Sequence, residues 1–301
     1  MKTLTELKES IQQQEIKHIV AVANAAEQEV LQSIKSALKE ELCKFLLFGD
    51  KDQMNRKAQE IGLDLNSKHI QIRHEVKDVA GAAVKAVHDN EAHIVMKGNV
   101  STKQLLKAVL NKDYGLRSGN VLSHVALFEV PNQEKLIFLT DAAMNVSPSL
   151  HEKKEIIQNA VKVAHSIGVE IPKVAAIAPV EVINEAMEST TDAAILTQMN
   201  RRGQIKGCLV DGPLGFDNAV SKTAARQKEI DSEVAGDTDI ILVPTIEVGN
   251  ALYKSFVYFA NSKVAAIISG AKAPIVLTSR ADSAESKLLS LSLALKTLKN
   301  N

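Results

Sequence analysis

Toward the carboxyl end of the chain, an apolar run passes directly into charge: Ile275-Val276-Leu277-Thr278-Ser279-Arg280-Ala281-Asp282-Ser283-Ala284-Glu285. The run reads as a strand followed by a helix. In parallel α/β sheets, chemistry gathers at the carboxyl ends of strands, so a Ser-Arg pair at this point is informative. The Arg280 guanidinium presents planar paired donors that match phosphate. The helix that follows brings its positive end to the same spot, and Ser279 can donate a hydrogen bond to a developing oxyanion. A solvated Arg with Ser283 or Asp282 as an ordinary helix cap explains the same residues without chemistry.

Three further strand ends carry polar groups. In Met96-Lys97-Gly98-Asn99-Val100-Ser101-Thr102, Gly98 permits a tight turn and Ser101 or Thr102 can cap a helix over 103–110. Backbone N–H groups at that helix start, with Lys97 and Ser101 nearby, suit a phosphate. The spacing is not that of a Walker loop. In Pro244-Thr245-Ile246-Glu247-Val248-Gly249-Asn250-Ala251-Leu252-Tyr253-Lys254, a strand end leads to Asn250, Tyr253 and Lys254, and Tyr occurs only 3 times in the chain. The plain alternative is a packed Tyr and a surface Lys. Around 121–145, Ser123 and His124 interrupt an apolar run, Asp141 ends a strand and Asn145 follows. His124 reads as a satisfied sheet histidine, because no Gly-x-Ser-x-Gly elbow accompanies it. Arg117, in Gly115-Leu116-Arg117-Ser118-Gly119, is a loop cation that can contact an anion.

The surroundings of these motifs narrow the class. The 301 residues hold 36 Lys+Arg against 36 Asp+Glu, and neutrality argues against a nucleic-acid binder held by a basic surface. Aromatic content of 3% with no Trp leaves poor stacking platforms for single strands. The 2 Cys, Cys43 and Cys208, lie far apart beside apolar runs and read as buried thiols, with no disulfide framework or zinc spacing. Asp211 and Asp217 are explained by a turn as well as by a cation, so no metal is expected. No Gly-x-Gly-x-x-Gly occurs, which leaves a nicotinamide-binding turn unsupported. With no leader-like segment and no apolar stretch of spanning length, a cytoplasmic protein without a membrane partner is expected.

Strands are predicted over 18–25, 44–50, 70–76, 93–98, 121–131, 135–141, 173–180, 205–212, 239–245, 264–270 and 273–279. Several are continuously apolar, as in strands buried on both faces. Helical patterns lie between them: 26–40 with Val30, Ile34, Ala37 and Leu38 on one face, 150–168 ending on Gly168, and 282–299. Strand–helix alternation predicts mostly parallel sheets. The run 121–141 is the exception, a predicted hairpin about Asn132-Gln133-Glu134. A domain boundary is placed after it, near 142–149, with a ligand cleft between the domains.

The run Ser269-Gly270-Ala271-Lys272-Ala273-Pro274 leading into Ile275–Ser283 resembles the phosphate acetyl/butyryltransferase family. So do 96–102, Leu139-Thr140-Asp141-Ala142-Ala143-Met144-Asn145-Val146, 210–217 and 249–254, in the family's order from about Met96 onward. The wording at 139–146 and 278–283 is closer to phosphate butyryltransferases. The resemblance implies a two-domain fold like that of isocitrate and isopropylmalate dehydrogenases, here divided as 1–142 with 272–301 and 143–271. It implies a homodimer or larger, and the reaction acyl-CoA + phosphate ⇌ acyl phosphate + CoA. Coenzyme A is then a substrate, and no cofactor is needed.

Carried over from the family, Arg280 clamps the phosphate and Ser279 stabilises the oxyanion. Acetyl-type members carry an Asp seven residues after that Ser. Here the position is Ser286, which leaves the adjacent Glu285, the nearby Asp282 or the phosphate itself to take the proton. Lys97, Ser101, Arg117, Ser123, Asn145, Asn250, Tyr253 and Lys254 are the candidate substrate-binding residues. Two other readings stand beside this one. A decarboxylating dehydrogenase on the same fold would need metal and nicotinamide. An acyl-CoA-binding module would bind without turnover.

Overall fold

Apolar, β-branched runs form the strands of this α/β chain, and amphipathic or apolar runs of helical period connect them. The structure, a computed structural model, describes residues 1–13, 17–279 and 282–298. In chain order the elements are α1 (Leu4–Gln12), β1 (Ile19–Ala23), α2 (Gln28–Lys39), β2 (Lys44–Gly49), α3 (Lys51–Glu60), β3 (Ile70–His74), α4 (Val79–His88), β4 (Ile94–Lys97) and α5 (Thr102–Val109). The hairpin β5 (Ser123–Glu129) and β6 (Ile137–Thr140) follows, then α6 (Leu150–Ser166), β7 (Lys173–Ile177), α7 (Glu188–Arg201), β8 (Leu209–Leu214), α8 (Phe216–Val220) and α9 (Lys222–Gln227). The chain closes with β9 (Ile240–Leu242), α10 (Ile246–Tyr258), β10 (Lys263–Ser269), β11 (Ile275–Val276) and α11 (Ala284–Thr297).

Two compact units are present. One comprises 4–120 and 265–301, the other 121–264 with 1–3. The division therefore falls at 120/121, ahead of the hairpin, and not at the 142–149 turn. The physical reason is pairing: β6 bonds in parallel to β9, with Leu139 opposite Ile241, which ties the hairpin to the later strands.

In the first unit the strand order is β3-β2-β1-β4-β11-β10. All neighbours are parallel except β10 and β11, which meet antiparallel at Ile268 and Ile275. Val20–Ala23 and Ile94–Lys97 are buried along their length, as expected of strands covered on both faces. On α2, Val30, Ile34 and Ala37 are buried as predicted, while Leu38 is only half-buried and Leu31 and Ser33 join the inner face. The last helix, α11, is buried along almost its whole length from Lys287 to Leu295. A helix this apolar belongs inside a fold, and it packs on α1 and α2.

In the second unit the order is β5-β6-β9-β7-β8, parallel apart from the hairpin. Ser149 opens α6 with a capping box to Glu152. Gly168 closes it at φ +91°, the left-handed C′ position predicted for it. The strand predicted over 205–212 begins later, at Leu209. Asn200 Nδ2 donates to the carbonyls of Ile205 (3.1 Å) and Cys208 (3.0 Å), holding 205–208 out of the ladder. Among the described residues, no helix is long and apolar enough to cross a membrane.

Candidate functional site

The short strand β11 leads into Ser279. It runs parallel to β4, with Ile275 opposite Val95 and Val276 opposite Met96, so their carboxyl ends emerge side by side. Ser279 and Lys97 therefore belong to one edge of the first unit's sheet. Ser279 is exposed, and its backbone is held at both polar groups. Its N–H donates to Asp282 Oδ2 at 2.7 Å, and its carbonyl accepts from Lys287 Nζ at 2.9 Å. The same ammonium donates to the Asp282 carbonyl at 2.8 Å and lies 3.9 Å from Glu27 Oε1. Arg280 lies outside the described residues.

Lys287 is the residue that sequence reasoning missed. It is only 1% exposed. A buried ammonium is costly unless its donors are satisfied, and here they close the turn that carries Ser279. The signal was present, a lysine beside Leu288 and Leu289 at the start of the leucine-rich stretch of the last helix. Of the two cap candidates, Ser283 caps α11, accepting from Ser286 N–H at 3.1 Å, and Asp282 is committed to the Ser279 turn. Glu285 is exposed in the first turn of α11.

At the end of β4, Lys97 is buried, and its Nζ donates back to the Gly98 carbonyl at 3.3 Å. Ser101 forms a full capping box with Gln104 at the start of α5, so its hydroxyl serves the helix end. Arg117 is exposed and bridges to Ala271, while Ser118 Oγ donates to the Gly270 carbonyl. These contacts tie the loop before the hairpin to the turn between β10 and β11.

In the second unit, the remaining candidates gather around β5, β6 and the start of α10. Ser123 is fully buried and its Oγ accepts from Asn159 Nδ2 at 2.9 Å. Asp141 is also buried and organises the turn that follows it. Its carboxylate accepts from Ala143 N (2.9 Å), Met144 N (3.0 Å) and Asn145 Nδ2 (2.5 Å). Asn145 also reaches the Leu122 carbonyl at 2.8 Å, bracing β5 against this turn. A Cβ at Gly249 would come within 2.5 Å of the Asp141 carbonyl, so α10 can approach the turn only with glycine there. Asn250 reaches the Ala142 carbonyl at 3.5 Å. The Tyr253 ring packs edge-on against His124 and Phe128, and Lys254 is exposed. His124 is thus a buried sheet histidine with an aromatic neighbour.

Behind this cluster, Lys153 and Asp192 form a buried ion pair at 2.5 Å. Lys153 also lines a cavity of about 440 Å³ with Ile177, Phe216, Pro244, Val248 and Leu252. Burial pushes both thiols up, Cys208 to about 11, which keeps them protonated and inert.

Comparison with known proteins fits this geometry. Residues 68–295 match the family model described as "Phosphate acetyl/butaryl transferase". The chain is 54% identical to the probable phosphate butyryltransferase of Bacillus subtilis (strain 168), with 92% of each chain covered. It is 48% identical to the phosphate butyryltransferase of Clostridium acetobutylicum, over 98% of this chain and 97% of that one. The crystal structure of a branched-chain phosphotransacylase from Enterococcus faecalis V583 aligns at TM-score 0.81 and 36% identity, covering 93% of this chain and 98% of that one. An α/β phosphate acyltransferase is the class defined here. The chain belongs to the phosphate acetyl/butyryltransferase family. The likeness reaches further toward the amino terminus than the motifs from Met96 onward that first suggested it.

Proposed function

We propose that this chain moves a short acyl group, butyryl or branched, between coenzyme A and inorganic phosphate. The observation that carries the reading is the Ser279 turn, an exposed serine at a strand end whose backbone is locked by Asp282 and the buried Lys287. Catalysis by oxyanion stabilisation needs a donor held in place before the charge develops. The names of the relatives above support the same substrates.

A phosphate oxygen adds to the thioester carbonyl carbon, and the carbonyl electron pair moves onto oxygen. Ser279 donates to that oxyanion while Arg280 holds the phosphate. Collapse breaks the carbon–sulfur bond and the thiolate leaves with the pair. Glu285 takes the phosphate proton and returns it to the thiolate, so acyl-CoA and phosphate become acyl phosphate and CoA. Attack is direct. Lys287 donates to carbonyl oxygens, an arrangement unsuited to deprotonating the Ser279 hydroxyl for a covalent route.

Lys97, Ser101, Arg117, Ser123, Asn145, Asn250, Tyr253 and Lys254 remain the substrate-binding positions of this reading, on the fold class of isocitrate and isopropylmalate dehydrogenases. We also infer a homodimer or larger, supported by Tyr258 and Phe259, which end α10 with 71% and 89% exposure. The test is thiol release from acetyl-, propionyl-, butyryl-, isobutyryl- and 2-methylbutyryl-CoA, with and without phosphate. Phosphate-dependent release strongest with the four-carbon and branched esters is expected. Phosphate-independent release would show a thioesterase instead.

A further inference from the structure

The edge of the first unit's sheet opposite Ser279 carries a second cluster of polar side chains. His18 stands immediately before β1 and His93 immediately before β4, and these strands pair in parallel, so both histidines lie at their amino ends. Ser279 and Lys97 belong to the carboxyl ends. The 4 residues of β4 span roughly 13 Å at about 3.3 Å each, which separates the two edges. A cavity of about 550 Å³ opens at the amino ends, beside the end of α4 and the residue that follows α11. Its volume is in the range of small-molecule sites, about 300–1,000 Å³.

His18 lines this cavity and is 8% exposed, and neither of its ring nitrogens has a hydrogen-bond partner among the described residues. Buried polar atoms are nearly always paired, and an apolar side chain would fill the same space without the penalty. Burial, and the neighbouring His93, hold the His18 ring below the usual imidazole range, so it is uncharged at neutral pH. The His93 ring meets it edge-on, with centroids 4.9 Å apart. His93 Nδ1 accepts the Ile19 N–H at 3.0 Å, so this ring carries its proton on Nε2. His88 Nδ1 donates to the Gly115 carbonyl at 3.2 Å and braces the cavity wall.

The other lining groups set the charge and shape of a ligand. Lys272 is the one ammonium among the described lining residues, and no carboxylate is among them. A single cation with imidazole N–H donors balances a monoanion, whereas a dianion such as phosphate would keep one charge uncompensated against apolar walls. Val87, Ala92, Leu116, Ala273 and Leu298 supply those walls, which suit a hydrocarbon tail. A metal ion is the poorer match. The Nδ1 lone pair of His93 is already taken, and among the described residues no group of three or more His, Cys, Asp or Glu is placed to hold one.

We propose that this cavity is a second binding site, for a carboxylate with an apolar tail, a short- or medium-chain fatty acid. The carboxylate sits on Lys272 and the imidazole N–H groups, and the tail lies along Leu116 and Leu298. The site is separate from the Ser279 edge and does not depend on the acyl-transfer reading.

The test titrates octanoate into the full chain, following binding by calorimetry and the imidazole resonances of His18 and His93 by NMR. The wild type is expected to bind, with both rings responding at one midpoint and with binding retained under saturating butyryl-CoA. Lys272→Glu, at an exposed position, should weaken binding by about tenfold or more, as loss of a charge partner does. His18→Phe should weaken it as well, and both variants should keep the wild-type rate of thiol release. Silent His18 and His93 resonances, or wild-type affinity in Lys272→Glu, would overturn the site. Displacement of octanoate by butyryl-CoA would move the ligand to the Ser279 edge and overturn it too. Inorganic phosphate that displaces octanoate with the same ring shifts would overturn the carboxylate assignment.

Discussion

Lys287 Nζ donates to the carbonyl of Ser279 at 2.9 Å, from a helix position that is 1% exposed. Together with its bond to the Asp282 carbonyl, this fixes the turn from beneath. Replacing Lys287 with Met removes the donors; the Ser279 carbonyl keeps the Asp282 N–H at 3.2 Å, and the Asp282 carbonyl loses its ammonium, at a cost of about 1–3 kcal/mol in stability. The larger effect is expected on turnover. Lys287→Met should lower kcat at least tenfold with KM for butyryl-CoA within about twofold, and Lys287→Arg should recover part of the loss. Equal kcat in Met and wild type would show that the turn positions itself without the lysine.

Glu285 is the proposed proton carrier, since Asp282 already accepts from the Ser279 N–H at 2.7 Å. Glu285→Gln should reduce kcat by about 10²-fold, the lower end for general acid–base catalysis. Asp282→Asn should act differently, loosening the turn and reducing activity alongside stability. If Glu285→Gln retains full kcat, the proton passes by another route.

Asp237 gives a pH prediction in the second unit. Burial pushes its carboxyl up, but hydrogen bonds from Lys173 (2.6 Å) and Lys135 (3.0 Å) outweigh this and hold it down at about 2. A depressed carboxyl stabilises the fold above its unfolded value of about 3.9, and that stability is lost as pH falls toward 2. At 38% side-chain exposure the contribution is screened to about 1 kcal/mol. Urea midpoints of wild type and Asp237→Asn should therefore differ above pH 4 and converge between pH 4 and 2. A constant difference across that range would assign the effect to packing.

Much of this was legible in the sequence because it depends on local chemistry. Each predicted strand has a counterpart, since continuous apolar runs between helical patterns leave little choice. Gly168 and the Ser101 cap also follow from residue type, whereas the Ser149 cap was not singled out. What was missed depends on the path of the chain. Nothing local pairs Lys287 with a carbonyl eight residues back. The antiparallel meeting of Ile268 with Ile275 is likewise hidden in a run that reads as two ordinary strands. The start of β8 moved because Asn200, on the preceding helix, takes the carbonyls of Ile205 and Cys208.

The most direct measurement is phosphorus NMR of purified protein mixed with butyryl-CoA and inorganic phosphate, with free thiol counted in the same sample. We expect an acyl phosphate resonance to grow at the expense of phosphate, with one thiol released per acyl phosphate. Ser279→Ala should slow both together by about 10²–10³-fold, the usual loss of one oxyanion donor. Thiol release with no acyl phosphate resonance, or an undiminished rate in Ser279→Ala, would contradict acyl transfer at this turn.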